Sequence, residues 1–167
     1  CFYARLIRAT TAVVHDRLER GKGIGVQYLL GPGVARRPEM AGIDESRQFV
    51  PLKIAVLTVS DTREEADDKS GATLVERTRA AGHAVAARTI VRDEVKAIRD
   101  QIKAWIADKL IDVIITTGGT GFTGRDVTPE AVEPLFEKRM DGFAAMFLLV
   151  SERKIGTSAI QTRASAG

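Results

Sequence analysis

Cysteine is almost missing. The single Cys1 stands at the first of 167 positions and has no partner for an internal disulfide, which fits a reducing compartment, the cytoplasm. Long apolar runs are missing too: no stretch approaches the ~20 residues that span a bilayer, so nothing in the sequence points to a membrane. No internal repeat or low-complexity tract interrupts the chain. Its 44% hydrophobic and 28% charged content is that of a globular protein with room for one ordinary domain. The familiar P-loop signature is lacking, since there is no Gly-Lys-Ser/Thr. His83 has neither a cysteine nor a second histidine nearby and reads as a loop residue, not a metal ligand.

An excess of one charge is absent where it would matter. The formal net charge is +3, but residues 1–49 carry 8 Lys/Arg against 5 Asp/Glu, while residues 50–167 carry 17 of each. The whole excess sits in the leading segment. A nucleic-acid-binding domain shows a basic face of its own, so no nucleic-acid partner is expected. Residues 1–49 read as a poorly ordered leader ahead of a domain over 50–167. Gly21-Lys22-Gly23-Ile24-Gly25 and Gly31-Pro32-Gly33 break any long element, although residues 2–19 can form a short helix. Met40 resembles a natural start, which makes residues 1–39 upstream sequence or a fusion remnant. Asp16 and Glu19 argue against a transit peptide.

What is present is an alternation of strands and helices. Ile54 to Val59 reads as a buried strand with Thr58, Ser60 and Asp61 at its C-terminal end, where open α/β sheets bind ligands. Residues 62–69, with Glu64, Glu65, Asp67 and Asp68, read as a solvated loop. Leu74, Val75 and Thr78 mark the inner side of a helix from Ser70 to about Ala81, stopped by Gly82. A strand over 83–91 follows, with Asp93 just beyond its end. Val95, Ile98, Ile102 and Ile106 recur at helical spacing in Glu94 to Lys109, and Trp105 reads as a core anchor. A helix over Gly142 to Glu152 is apolar nearly all round and so reads as buried on two sides, with another subunit or the domain's own packing covering the second.

The centre of this pattern is the run from Ile114 to Ala131. It opens as a buried strand and then places four glycines, 118, 119, 121 and 124, within seven residues. It ends at a helix start, with Thr128 as N-cap, Pro129 at the first helical position and a helix running to about Lys138. Strand, glycine loop and helix N-terminus make an anion pocket in α/β proteins. Two carboxylates, Asp93 and Asp126, are placed to converge on the same sheet edge. They are suited to hold Mg²⁺ beside a phosphate, and equally to serve as turn or capping residues.

Several of these motifs resemble one family. Thr116-Thr117-Gly118-Gly119-Thr120-Gly121 with Arg125-Asp126-Val127-Thr128-Pro129-Glu130-Ala131 is similar to the signature of the MoaB/MogA family of molybdenum-cofactor biosynthesis, whose domain also occurs in gephyrin. The resemblance extends through Ile54 to Thr62, through Asp68-Lys69-Ser70-Gly71, and through Ile155 to Arg163, where the MoaB branch is matched more closely than MogA. It implies a three-layer, doubly wound α/β fold with a mostly parallel sheet and helices on both faces. It implies Mg²⁺-dependent transfer of AMP from ATP to the terminal phosphate of molybdopterin, or, as the alternative, a silent molybdopterin binder. Matched position by position, Asp93 and Asp126 are the essential acids and the metal residues. Thr116, Thr117, Gly118, Gly119, Thr120 and Gly121 form the pterin-phosphate loop. Thr58, Ser60, Asp61, Ser70, Gly71 and Ser165 join the same pocket. A homo-oligomer, trimeric or hexameric, and a molybdate-inserting partner are implied as well. The resemblance further leads one to expect a strand, a Pro-Gly loop and a helix after Gly167, and hence a chain that is inactive as it stands.

Overall fold

The computed structural model describes residues 48–167 and, as backbone only, Thr11–Val14. In chain order the elements are β1 (Thr11–Val14), β2 (Lys53–Val59), α1 (Lys69–Ala80), β3 (Ala84–Val91), α2 (Val95–Ala107), β4 (Val113–Thr117), α3 (Thr128–Val132), α4 (Asp141–Ile155) and β5 (Ser165–Ala166). The strands form one sheet in the order β3-β2-β4-β1-β5. β2 runs parallel to β3 and β4, β1 is antiparallel to β4, and β5 is parallel to β1. The helix expected over residues 2–19 is therefore not found at Thr11–Val14, which form a strand. The other expectations for residues 1–47 lie outside the described residues.

The alternation of β2 generates the layers. Ala55, Leu57 and Val59 point to one face, where they pack with Ile98, Ile102 and Trp105 of α2 and with Ala131 and Val132 of α3. Ile54 and Val56 point to the other, against Leu74 of α1 and Ile115 of β4. Because successive side chains of a strand face opposite ways, a strand buried on both faces must be apolar throughout, and β2 is buried from Ile54 to Val59. The result is a three-layer α/β fold with helices on both faces of a largely parallel sheet. Trp105 is the core anchor expected of it.

Four local expectations change. Helix α1 starts one residue early because the buried carboxylate of Asp68 caps it, accepting from Gly71 N at 2.8 Å. The helix beginning at Thr128 ends at Val132 and tightens into a 3₁₀ turn over Glu133–Leu135, since Pro134 has no N–H to continue the helical ladder. His83 is buried, its ring beside Phe49, and its Nδ1 accepts from Leu52 N at 3.0 Å. In α4 only Phe147 is buried, while Met146 and Leu149 are 54% and 57% exposed, so this helix is not enclosed on two sides.

Candidate functional site

The three parallel strands deliver their C-terminal ends to one edge, and the loops that leave them meet there. After β4 the chain turns at Gly118 (φ +99°) and Gly119 (φ +62°), values that favour glycine. Space demands glycine too. A Cβ on Gly118 would stand 2.1 Å from the carbonyl oxygen of Val59 at the end of β2. The loop is closed from its far side by Thr128, whose N–H donates to Gly119 O and whose hydroxyl donates to Gly118 O, both at 2.9 Å. Thr128 thus ties the loop together and does not cap α3 through its side chain. Arg163, from the segment before β5, makes a second tie. Its Nε donates to Gly121 O at 2.8 Å, its Nη2 to Asp126 O, and its Nη1 pairs with Glu130.

Asp93 and Asp126 both pack against this loop. A Cβ on Gly119 would meet both carboxylate oxygens of Asp93 at 2.8 Å, and one on Gly121 would meet Asp126 Oδ2 at 2.8 Å. Asp93 Oδ1 accepts from Val127 N at 3.1 Å, which joins the end of β3 to the start of α3. Asp126 folds back on its own turn, accepting from the N–H and hydroxyl of Thr123, and so is a turn residue and not a helix cap. Their environments push the two acids apart. Burial raises the Asp93 pKa, helped by the negative charges of Asp126 and Asp61 and opposed by the Val127 N–H and the Arg125 charge. The Thr123 hydroxyl, with the Thr123 and Gly121 N–H groups, holds Asp126 below the usual carboxylate range despite some burial.

Asp61 completes the edge. Its Oδ1 accepts from Asp93 N at 3.2 Å and its Oδ2 pairs with Arg125 Nη2 at 2.7 Å. A cavity of about 460 Å³ opens beside Asp61 towards the outer strand β3, lined by Arg63, Arg88, Ile90 and Arg92. Ser60 lies at the rim, its Oγ accepting from Arg63 N at 3.2 Å. Thr116, Thr117 and Thr120 are buried at the root of the glycine loop.

Thr58, Gly71 and Ser70 are placed differently. The Thr58 hydroxyl is fully buried and donates to Asp68 Oδ2 at 2.8 Å, and Gly71 N is spent on Asp68 Oδ1. A Cβ on Gly71 would stand 2.0 Å from Asp68 Oδ2. Asp68 also pairs with Arg88 Nη2 at 2.9 Å. Burial opposes its charge, but the Gly71 N–H, Arg88 and Thr58 together leave its pKa lowered. Thr58, Gly71, Asp68 and Arg88 therefore form an internal brace that fixes the β2–α1 loop. Ser70 borders it, accepting from Arg63 Nη1 at 3.4 Å. Ser165 sits in β5, with β1 between it and β4, two residues after the Arg163 that bonds the glycine loop. Its buried hydroxyl has no hydrogen-bond partner among the described residues. Sequence reasoning missed Asp68, Arg88 and Arg163. For Asp68 a signal existed, an aspartate immediately before a helical pattern. For Arg88 and Arg163 no local pattern announces partners 20 and 42 residues away.

Residues 55–166 match a family described as "Probable molybdopterin binding domain". The chain belongs to this family. It is similar to molybdenum cofactor biosynthesis protein B of Escherichia coli K12, 47% identical over 122 residues that make up 73% of this chain and 72% of that protein. The same-named protein of Bacillus subtilis is 41% identical over 128 residues, 75% of each chain. Among solved structures, a molybdenum cofactor biosynthesis protein B is matched at TM-score 0.68 and 40% identity over 71% of this chain and 74% of that one. The tungsten cofactor synthesizing protein MoaB from Pyrococcus furiosus is matched at 0.56 and 35%, over 70% and 72%. The molybdopterin-binding-domain chain is thus a MoaB-type protein of molybdenum-cofactor biosynthesis. Among the described residues no helix is long and apolar enough to cross a membrane.

The family's chemistry raises the question of a metal. Among the described residues no group of three or more His, Cys, Asp or Glu is gathered closely enough to cage an ion alone. Mg²⁺ asks for less, since it keeps several waters and takes one or two carboxylates with substrate phosphates. A half-buried Asp93 whose charge is opposed by two neighbouring carboxylates is a group that a cation would relieve. In that sense the donor set fits Mg²⁺.

Proposed function

We propose that this domain binds the terminal phosphate of molybdopterin at the Thr116–Gly121 loop and transfers AMP to it from ATP. The observation that carries the reading is the packing of two carboxylates, Asp93 after β3 and Asp126 before α3, against one glycine loop. In the reaction an oxygen of the pterin phosphate attacks the α-phosphorus of ATP. The bond from that phosphorus to the bridging oxygen of the β-phosphate breaks, and pyrophosphate leaves with the electron pair. Such a step depends on positioning and charge neutralisation more than on covalent help from the protein. Mg²⁺, held by Asp93 and Asp126, would supply the positive charge that lets three anionic partners meet. Loop N–H groups other than that of Gly121, which is spent on Asp126, would donate to phosphate oxygens, and the cavity beside Asp61 has room for part of a nucleotide. The same reading includes a homo-oligomer, trimer or hexamer, supported by the exposed apolar side chains of α4, and delivery of the product to a molybdate-inserting partner.

The alternative is a protein that holds molybdopterin without transfer. ATP-dependent pyrophosphate release in the presence of molybdopterin separates the two. Asp126→Asn keeps the size and the turn while removing one charge, so the variant should stay folded and lose at least tenfold in release. A native chain that binds molybdopterin and releases no pyrophosphate supports the silent binder.

A further inference from the structure

Arg125 is the one cation that reaches from the glycine loop to the end of β2 among the described ion pairs, and what it holds there is Asp61. Its side chain is 79% exposed and that of Asp61 only 24%. An ion pair with one partner in water contributes little to stability, so this contact is no brace of the fold. Its place is more telling. Asp61 Oδ1 is occupied by Asp93 N, and Arg125 takes the remaining oxygen, Oδ2. Arg125 also directly precedes Asp126 and lies close enough for its charge to act on Asp93. It therefore sits beside both Asp61 and Asp93 and pairs with the first of them.

We propose that the Arg125–Asp61 pair is a latch that a metal-bound polyphosphate opens by giving each partner a better one. This rests on the metal and nucleotide reading above and assigns roles to residues which that reading leaves idle. The divalent cation competes with Arg125 for Asp61, and the polyphosphate competes with Asp61 for Arg125. Guanidinium suits phosphate oxygens better than this carboxylate, because it can meet two of them in parallel while Asp61 has only Oδ2 left to offer. Either ligand alone must break the pair and leave one member unmatched. Both together leave none, so each strengthens the binding of the other, as linkage requires. Arg125 is in this sense a positioning and specificity residue that favours the metal–polyphosphate complex over the free metal or the free phosphate.

The test uses the full chain with Mn²⁺ and pyrophosphate as probes, read by electron paramagnetic resonance and calorimetry, independently of turnover. In Arg125→Ala the competitor for Asp61 is gone, so Mn²⁺ alone should bind about three- to fivefold more tightly, the scale set by one exposed ion pair. Pyrophosphate in the presence of saturating Mn²⁺ should bind at least as much more weakly, and Arg125→Lys should fall between. Removing any positive charge favours a cation in general, so the same change is made in Asp61→Asn. There the effect of Arg125→Ala on Mn²⁺ should vanish if the two residues act as a pair. A gain that persists in Asp61→Asn, or Mn²⁺ affinity unchanged in Arg125→Ala, overturns the latch and leaves the metal reading standing. No Mn²⁺ binding by the native chain or by Arg125→Ala removes the metal reading and the latch with it. The expected exchange in a protein that transfers no AMP keeps the latch and sinks the transfer.

Discussion

Gly119 shows how much of the site rests on the absence of one carbon atom. Its φ of +62° is open to other residues at a cost, but its surroundings are not. A Cβ would stand 2.4 Å from the Thr128 hydroxyl that ties the loop and 2.8 Å from both oxygens of Asp93. Gly119→Ala is therefore expected to move Asp93 off the loop as well as to strain the backbone. The strain costs about 1–2 kcal/mol, or roughly 4–10 °C in Tm. A functional loss of tenfold or more in molybdopterin binding or pyrophosphate release should accompany a chain that still melts cooperatively. Full function in a folded Gly119→Ala would mean that Asp93 does not need its seat. The loop glycines were legible in the sequence because their spacing is abnormal for a simple turn. Asp68 was not. Composition counts it with Glu64, Glu65 and Asp67 as one solvated run, and only the fold reveals that its carboxylate alone turns inward to Thr58, Gly71 and Arg88.

At the scale of elements, periodicity located β2, β3, β4, α1 and α2 within a residue or two. Their apolar positions repeat over enough turns or alternations to outweigh local noise. It served less well for short pieces. The turn at Glu133–Leu135 hangs on Pro134 alone, and the apolar composition of α4 does not tell how many of its faces are covered. It failed for β1, whose four residues hold no alternation long enough to compete with the apparent helix around them. Residues 1–39 show no periodic apolar face, which taken alone predicts that their removal leaves stability unchanged. The sheet argues otherwise. β1 pairs Thr11 with Thr116 and Val14 with Val113, so it satisfies the backbone of β4 on the side away from β2. Deleting residues 1–39 is expected to lower Tm and to accelerate hydrogen exchange at the β4 amides that face β1, leaving those that face β2 protected. Identical exchange in the two chains would show that this pairing contributes nothing to the sheet.

For the whole molecule, the titrating groups act in separate pH windows and with different signs. His83 has its pKa lowered by burial from an ordinary value of 6.5, so the folded chain holds it neutral while the unfolded chain takes up a proton. Its contribution to stability is complete above about pH 6.5 and declines as pH falls from there to the lower folded value. Asp68 is also lowered, from 3.8, so the stability it adds is present above that value and lost further into acid. Asp93 runs the other way. Its raised pKa favours the folded state below 3.8, and that advantage disappears as pH rises through the folded value. Thermal melts from pH 8 downward should therefore begin to fall near pH 6.5, change little where Asp93 offsets the loss, and drop again below pH 3.8 as Asp68 takes its proton. The first step belongs to the buried His83 ring, whose Nδ1 accepts from Leu52 N and can no longer do so once protonated. His83→Asn keeps an acceptor near that point and removes the titration, so it should flatten the curve between pH 7 and 5 and leave the acid drop in place. An unaltered first step in that variant would trace it to another group and return His83 to packing alone.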